Sequence, residues 1–456
     1  MSKDSRVPYK LPEPLICSTD AVIDSDLINK YIDRHEERLP RYKYLENLYR
    51  GFHDIFSLPE KESWKPDNRL AINFPRYVTD TFLGYAYGIP MKTTHPDDNT
   101  NEKIKEFEQS NDIEDHNYEL AKQFCIYGHC YEEMYQDEES QSRVATVNPK
   151  HGFIVYDDTL RRRAMFAVRY GYDSTGQVRT GELMTRDTIY EFTGRTMDEE
   201  HENPYGRIPF VEYALNQERI GIFEGIANMT EVYNKAIGEK ANDIDSFAEA
   251  YMVILGAELD EDGVYKIRDN RIVNLYGTDN AKDIVVDFLQ KPTADGSQEN
   301  LLDRLEKLIY QMSMVSNMSE ENFGQASGTA LAYKLNAMSN LALTCDRKME
   351  KSMSARYKLF CSLPTNVPDP DAWKEIKYQA TRNVPKNLLE EAQTAAQLEG
   401  IVSHETQLSV LSAVQNTSDE LDKIKKEQQS EVDQQLERRL SYGREDESQN
   451  TSESEQ

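Results

Sequence analysis

The sequence contains no apolar run of the length that a membrane-spanning helix needs. Such a helix takes about 20 predominantly apolar residues. This chain is instead charged at 29% of its positions and has a mean hydropathy of −0.74. Residues 1–20 carry Lys3, Arg6 and Lys10 and lack the apolar stretch of a secretory signal. We therefore expect a protein that is made and stays in the cytoplasm and has no membrane partner.

Cysteine is scarce and scattered, at Cys17, Cys125, Cys130, Cys345 and Cys361. An odd number at such spacings does not suit a disulfide framework and predicts reduced thiols. Cys125, His129 and Cys130 in FCIYGHCYEE offer a metal site as an alternative. However, Gly128 interrupts that segment and no distant pair completes four ligands. We expect these side chains to pack in the core, and we expect no metal and no cofactor.

Motifs of common enzyme sites are also missing. The chain has no G-x-x-x-x-G-K-S/T loop to hold nucleotide phosphates, which argues against an ATP-driven motor, and no G-x-G-x-x-G, H-E-x-x-H or G-x-S-x-G segment. The neighbouring carboxylates Asp157 and Asp158, or Asp137 to Glu139, could hold Mg²⁺ as in a nuclease. In so acidic a chain, such neighbours are far more often turn or surface residues. The sequence predicts no catalytic site.

Basic residues are outnumbered, since 53 Lys and Arg stand against 81 Asp and Glu and give a formal net charge of −28. A protein that grips DNA needs clustered cations to neutralise phosphates. The balance therefore allows either an ordinary acidic protein or a surface that DNA slides past without sticking. Composition alone does not choose between the two.

The first half of the chain shows both helical and strand patterns. Apolar spacing predicts helices over residues 25–49, 74–87 and 113–127, with Asp24 or Ser25 and then Asp112 as N-caps. Alternating residues between 142 and 193 predict short strands. We expect a flexible leader over residues 1–24 and an α+β domain over residues 25–220.

A long helical pattern follows over residues 221–255. Its polar side carries Glu231, Lys235, Glu239 and Asp243 at four-residue steps. A small β-rich unit, residues 256–297, then precedes a second amphipathic helix over residues 298–316. The pattern allows a helical hairpin with a cap at its tip, or two ordinary core helices with a surface excursion.

Residues 317–329, NMSEENFGQASGT, form a polar segment, and a long helix follows over residues 330–362. Its basic residues include Lys334, Arg347, Lys348, Lys351, Arg356 and Lys358. A run of bases along a helix is usually a solvated face. Shorter helices are expected within residues 363–440, and residues 441–456 read as a disordered acidic tail.

Eight segments between about residues 40 and 411 resemble, in order and type, one protein family. They are YLENLYRGFHDI, NRLAINFPRYVTDTFLGYAYGIP, FCIYGHCYEEMY, VNPKHGFIVYDDT, NPYGRIPFVEYALNQERIGIFEGI, YNKAIGEKANDIDSFAEAYMVILG, SNMSEENFGQASGTALAYKL and GIVSHETQLSVL. The family is the portal, or head-to-tail connector, proteins of long non-contractile-tailed phages of Gram-positive hosts. No single segment is very specific, but their shared order makes coincidence a poor explanation.

The resemblance implies a mixed α+β, predominantly helical portal fold. Its parts would be a wing (25–220 with the helix 330–362), a stem (221–255 and 298–316), a β-rich clip (256–297), a tunnel loop (317–329) and a helical crown (363–440). Members of this family form rings of about twelve subunits at one capsid vertex. The resemblance therefore implies a virion protein assembled in the host cytoplasm.

The resemblance also implies partners and site residues. The partners are other copies of the chain, double-stranded DNA passing without sequence specificity, the terminase large subunit, the major capsid and scaffold proteins, and the head-completion or tail adaptor. Tunnel-loop residues expected to face DNA are Asn317, Ser319, Glu320, Asn322, Phe323 and Gln325. Clip residues expected to dock a partner are Glu258, Asp260, Glu261, Asp262 and Asp283.

Two further sets concern contacts between subunits. The stem residues Glu231, Lys235, Glu239 and Asp243 are expected to pair across the ring. Lys334, Arg347, Lys348 and Lys351 are expected to form subunit salt bridges or to contact DNA, with salt bridges favoured. The alternative functions are an internal capsid or scaffold protein, a structural adaptor without a DNA channel, and the Mg²⁺-dependent nuclease.

Overall fold

The computed structural model describes residues 13–62, 65–248, 252–255, 285–288, 295–318, 328–384 and 388–411, and short pieces at 413–414, 417, 420–421, 423–427 and 429. The chain divides into two compact units, residues 1–383 and 384–456. The second unit begins at Val384, later than the start of the predicted crown at residue 363. No helix among the described residues is both long and apolar enough to cross a membrane.

The first unit contains eight α-helices in its described residues. They are α1 (Ser25–Glu36), α2 (Leu39–Arg50), α3 (Phe74–Ala86), α4 (Asp98–Ser110), α5 (Ile113–Tyr127), α6 (Ala227–Ala248), α7 (Asp295–Ser313) and α8 (Gly328–Phe360). Short 3₁₀ turns lie at Asp54–Ser57, Glu224–Ile226 and Ala372–Glu375.

Thirteen strands accompany these helices in the described part of the first unit. They are β1 (Leu15–Cys17), β2 (Lys92–Thr94), β3 (His129–Gln136), β4 (Ser142–Val147), β5 (Gly152–Asp157), β6 (Ala164–Tyr172), β7 (Arg179–Met184), β8 (Thr188–Thr193), β9 (Thr196–Glu202), β10 (Phe210–Ala214), β11 (Met252–Leu255), β12 (Val285–Phe288) and β13 (Lys377–Gln379). The mixed α+β, predominantly helical prediction is confirmed.

A six-stranded sheet in the order β1-β5-β6-β7-β8-β9 forms the centre of the first unit. Helix α1 covers one face, where Ile28, Tyr31 and Ile32 pack against Phe153 and Phe166. The other face packs against the three-stranded sheet β10-β3-β4. Each face therefore buries alternate residues of the same strands, as a sheet covered on both sides requires.

Two local predictions need correction. Residues 15–17, expected in a flexible leader, form strand β1, which pairs in parallel with Val155–Asp157 and buries Leu15 and Cys17. The helix expected over residues 25–49 is two helices, because Pro40 occupies the first turn of α2 and α1 ends at Glu36. Asp24 does cap α1, and its carboxylate accepts the backbone N–H of Leu27.

Other boundaries also differ from the sequence patterns. Asp112 precedes α5 at φ +47° and makes no side-chain cap. Residues 252–255, expected at the end of the first stem helix, are strand β11 and pair antiparallel with β12. The two long helices therefore flank an excursion whose described part is a two-stranded ribbon. The described residues fit both a helical hairpin with a cap and two helices with a surface excursion, so this choice stays a prediction.

The second unit is described in two helices, α9 (Leu388–Gln397) and α10 (His404–Ser409). Ser403 caps α10, since its hydroxyl accepts the N–H of Thr406. The side chain of Gln407 donates to the carbonyl of Ala395 and joins the two helices. Residues 441–456, predicted as a disordered tail, lie outside the described residues.

A buried histidine makes the first unit sensitive to acid. His35 Nδ1 lies 2.9 Å from the Tyr170 hydroxyl and its Nε2 lies 2.8 Å from the Pro149 carbonyl. Burial, with the nearby charge of Arg38, lowers the pKa of His35 from 6.5 to about 3. The folded protein thus holds this ring neutral where the unfolded chain would protonate it.

We predict that His35→Gln weakens the dependence of stability on pH. With a folded pKa below the unfolded one, stability is full above pH 6.5 and is lost as the pH falls towards about 3. At about pH 5, His35 should remove about 2 kcal/mol from the free energy of unfolding. Urea unfolding at about pH 7.5 and about pH 5 measures the difference. His201→Gln, an exposed histidine, is the control, and equal pH dependence in wild type and His35→Gln contradicts the assignment.

Candidate channel and assembly surfaces

Helices α6 and α7 pack against each other in opposite directions. Lys240 forms an ion pair with Glu299, and Gln298 donates to Asp243 at 3.4 Å. Nearer the start of α6, Tyr233 lies within the electrostatic influence of Glu306. Residues later in α6 thus contact residues earlier in α7, so the two helices are antiparallel.

A segment that we call the strap, residues 53–62 and 65–72, runs along α6. Glu231 accepts from His53 Nδ1 at 2.9 Å, and Lys61 Nζ lies 3.0 Å from Glu239. Further along, the N–H of Asn68 donates to Asn242 at 2.6 Å. At Gly238 a Cβ would lie 3.1 Å from the carbonyl oxygen of Asn68, so the strap crosses the helix where a side chain would crowd it.

Contacts within the chain, two of them with the strap, occupy most of the stem residues predicted to pair between subunits. Glu231 and Glu239 already have partners inside the chain, His53 and Lys61, and Asp243 contacts Gln298. Lys235 is exposed and makes no ion pair with any described carboxylate. Pairing of these residues between subunits stays a prediction, and Lys235 is the member that the chain itself leaves open.

Helix α7 carries an apolar stripe that the described residues leave partly exposed. Leu302 and Ile309 are buried, and Tyr310 stacks edge-on against Phe74 and Tyr77 of α3. A second row of apolar residues lies about a quarter turn away: Leu301 and Met312 are 48% and 62% exposed, and Leu305 and Leu308 are half-buried. Their spacing of four, three and four residues is that of a helix-packing seam.

The start of α6, in the predicted stem, is tied to α2, in the predicted wing, by a buried guanidinium. Arg41 of α2 is fully buried and forms a two-point ion pair with Glu224, just before α6. It also donates to the carbonyls of Tyr127 and Arg219 at 3.1 and 2.9 Å. Glu224 in turn accepts the N–H of Gly221. One side chain therefore fixes the segment from which the stem leaves the wing.

A second buried carboxylate, Glu212 of β10, lies next to this anchor. It accepts from Arg219 at 2.5 and 2.9 Å, from His129 Nδ1 at 3.1 Å and from the Tyr156 hydroxyl at 2.8 Å. Burial alone would raise the pKa of Glu212, but the His129 hydrogen bond and the Arg219 charge lower it well below its usual range. Glu212 therefore stays ionised inside the protein.

A third ion pair joins the long helix α8 to the same core. Arg356 is fully buried, and it donates to Glu132 of β3 at 2.9 Å and to Asn117 at 2.8 Å. Glu132 also bonds to His116 Nε2 and the Tyr213 hydroxyl. Burial raises its pKa, yet Arg356 and His116 prevail and lower it to about 2. The solvated face predicted for the basic run of α8 is wrong for Arg356.

The charge network consists of the buried Arg41, Glu132 and Arg356 and the partly buried Glu212, Arg219 and Glu224, which sequence reasoning missed. The available signal was a charged residue at an inward position of an apolar element. Glu132 lies in HCYEEM and Glu212 in FVEY, while Arg356 follows the inward spacing of Met349 and Met353. The sequence marks such positions but does not say which charges meet.

The remaining basic residues of α8 are placed on its surface. Arg347 and Lys351 are exposed and Lys348 is half-buried, and none of the three forms an ion pair with a described carboxylate. Lys334 is half-buried, and its carbonyl accepts the Ser316 hydroxyl at 2.8 Å. Their roles towards DNA or a neighbouring subunit stay predictions.

The Ser316 contact also fixes the ends of the predicted tunnel loop. Ser316 follows α7, and Lys334 lies in the second turn of α8. Because these two residues are hydrogen-bonded, the two ends of the segment between them lie close together. Asn317 is half-buried and its side chain lies 3.4 Å from Glu306. The other predicted loop residues, Ser319, Glu320, Asn322, Phe323 and Gln325, lie outside the described residues. So do the clip residues Glu258, Asp260, Glu261, Asp262 and Asp283.

The two alternative metal groups have other partners. His129 bonds to Tyr42 and Glu212, and the Cys130 thiol donates to the Leu120 carbonyl. Asp157 accepts from the N–H groups of Thr159 and Arg163 in a turn. The hydrogen bond from the Thr159 hydroxyl helps to keep the pKa of Asp157 below its ordinary value.

The family profile described as "Phage portal protein, SPP1 Gp6-like" matches residues 28–434. The chain belongs to this portal family. The portal protein of Bacillus phage SPP1 is 23% identical over 443 residues, covering 89% of this chain and 86% of its own. The portal protein of Clostridium phage phiCD119 is 22% identical over 366 residues, covering 74% and 79%. Membership agrees with the resemblance seen in the sequence.

Among solved structures, one described as "Neck of empty GTA particle computed with C6 symmetry" aligns with this portal chain. The alignment covers 74% of this chain and 89% of that one, with 11% identity and a TM-score of 0.43. A likeness at this level carries no argument about fold or function.

We predict that Arg356→Met destabilises the portal chain by about 3–5 kcal/mol, because it leaves Glu132 charged and buried without its main partner. Adding Glu132→Gln to that variant should recover part of the loss. Urea unfolding at neutral pH measures both.

The control for this prediction is Arg76→Met, which breaks an exposed pair with Asp80 and should cost less than about 1 kcal/mol. Equal effects of Arg356→Met and Arg76→Met would show that the network adds no special stability.

Proposed function

We propose that copies of this chain close into a ring of about twelve subunits at one capsid vertex and form the channel for packaging and ejecting DNA. Membership of the portal family supports the role. The apolar stripe Leu301, Leu305, Leu308 and Met312 on α7 carries the ring part of the proposal. A helix with two apolar sides needs two packing partners, and the described part of the chain supplies only one.

The charge of the chain suits a channel that conducts DNA. With a net charge of −28, the subunit has few cations to hold phosphates, and each held phosphate adds a salt-dependent attraction that slows sliding. We propose that residues 317–329, whose neighbours Ser316 and Lys334 are joined, touch the passing DNA weakly and without sequence specificity.

The partners of the ring are further parts of this proposal. We propose that it assembles in the host cytoplasm with the major capsid and scaffold proteins. The acidic clip segment would then dock the terminase large subunit, and later the head-completion or tail adaptor, by charge complementarity. The chain would become a component of the virion.

We also propose that the chain has no catalytic activity of its own. Asp157 is held in a turn by Thr159 and Arg163, and Asp158 accepts the Thr19 hydroxyl, so each serves local structure. Purified chain with Mg²⁺ should leave duplex DNA uncut. Cleavage that is lost in Asp157→Asn and Asp158→Asn would instead favour the nuclease.

We predict that Leu301→Glu with Met312→Glu prevents ring formation and leaves the subunit folded. Both side chains are about half exposed in the single chain, so the cost of the charge falls on the contact between copies. Light scattering gives the mass, negative-stain images show the ring, and circular dichroism checks the fold.

The matched control is Asn300→Glu with Gln311→Glu, which adds the same charge at the neighbouring exposed positions of the same helix. It should assemble as the wild type does. Normal rings from the Leu301 and Met312 variant would remove the stripe from the interface, whereas a wild type that never forms rings would count against the channel itself.

A further inference from the structure

The turn between β5 and β6 presents three consecutive arginines to solvent. Arg161, Arg162 and Arg163 are all exposed, and no ion pair joins any of them to a described carboxylate. Leu160 beside them is 101% exposed, the highest value among the large apolar side chains described. The contacts described within one chain do not explain why an exposed leucine and three arginines occur together in one protruding turn.

The turn is held in a fixed shape. Asp157 N–H donates to the Arg163 carbonyl at 2.8 Å, and its carboxylate accepts from Arg163 N–H at 3.0 Å and from the Thr159 hydroxyl at 2.6 Å. Arg162 has a φ of +47° and donates to the Asp157 carbonyl. A non-glycine residue in that region is strained, so its surroundings impose the conformation. The arginines are thus presented by a built turn.

The far edge of the same sheet has the opposite charge. Strand β9 carries Asp198, Glu199, Glu200 and Glu202, all exposed, and no lysine or arginine. A bulge in the β8–β9 pairing places Glu191 next to Glu199, with His201 Nε2 3.7 Å from each carboxylate. Like charges across a strand pair are destabilising, and carboxylates outnumber basic side chains along this edge.

The two surfaces cannot neutralise each other inside one chain. The turn joins β5 to β6, and two to four strand spacings separate these strands from β8 and β9, which is about 10–19 Å. Along the strands, Glu191 is level with Arg169, six residues beyond Arg163. The basic turn lies towards one side of the sheet and the acidic strand forms the opposite edge. A closed ring joins two different surfaces of the same subunit, so such an arrangement suits head-to-tail contact.

We propose that the turn Leu160–Arg163 of one subunit packs against the acidic β8–β9 edge of the next. The inference rests on the ring proposed above and identifies a second contact in it, separate from the stem. The arginines neutralise Glu191 and Glu199, and Leu160 is removed from water in the same contact.

Two other ligands, DNA and a divalent cation, would each explain only one of the two charged surfaces. A DNA backbone would pair with the arginines, but it offers Leu160 no apolar surface and leaves the acidic edge unneutralised. A divalent cation could bind Glu191, Glu199 and His201, the one such group among the described residues. That ion would give the basic turn no partner. A neighbouring copy is the occupant that satisfies both surfaces.

Charge reversal with rescue tests this contact in the full-length chain. Arg161→Glu with Arg163→Glu reverses the turn, and Glu191→Lys with Glu199→Lys reverses the edge. Each pair should raise the concentration for half assembly about tenfold in low salt, and the four changes together should restore it. Lys103→Glu with Lys105→Glu on α4 makes the same charge change as the turn reversal and should assemble normally.

The outcomes separate this contact from the ring. Normal assembly of both reversed variants, or no recovery in the fourfold variant, overturns the contact and leaves the ring standing. Loss of wild-type assembly in EDTA, with no effect of the turn reversal, assigns the edge to a cation and also overturns it. Loss of duplex DNA binding by the turn reversal, with normal assembly, assigns the turn to DNA. A wild-type chain that stays monomeric overturns the ring and this contact together.

Discussion

The first unit depends on charged side chains that are withdrawn from solvent and paired with opposite charges inside the protein. Glu132 with Arg356 and Glu212 with Arg219 are withdrawn from water, and each would cost several kcal/mol if its partner were missing. The partners come from elements far apart in the chain, and Arg356 lies 224 positions after Glu132. The strands β3 and β10, the long helix α8 and the entry to the stem must therefore all be in place together. A displacement of any one of them breaks a buried ion pair, so they move as one body.

The surface of the same unit differs from its interior, because apolar and charged groups there are exposed to solvent. Its apolar stripe on α7, its basic turn after β5 and its acidic edge at β9 are all largely exposed among the described residues. Burial of charge makes the subunit rigid, and exposed complementary surfaces make it depend on neighbours. A rigid subunit with incomplete surfaces suits a closed ring, because small angular errors add up around a ring and prevent closure. The network thus supports assembly by making the subunit rigid.

Sequence patterns predict those helices that depend mainly on residues near to each other in the chain. Helices α3 and α5 follow from apolar spacing, and Gly128 ends α5. The sequence could not reveal features decided by distant partners. The run MVIL at residues 252–255 suits helix or strand, and only pairing with β12 decides it. Leu15–Cys17 becomes a strand because β5 lies beside it. Glu231 and Glu239 were correctly placed on one polar face of the stem, but the strap that meets them was not foreseen. Arg356 was misread because a charge says nothing about where its partner lies.

The strong negative charge of the chain opposes the association of subunits. Each copy carries a formal charge of −28, so bringing copies together raises a repulsion that grows with every subunit added. At physiological salt the Debye length is about 8 Å, so solvent screens most of the long-range part and leaves the repulsion between surfaces in contact. In the ring proposed above, the apolar stripe on α7 would add attraction that salt does not weaken, whereas opposite charges at the β5–β6 turn and the β8–β9 edge would remove repulsion where surfaces touch. The two kinds of contact therefore do different work, since the first supplies affinity and the second fixes which edges meet.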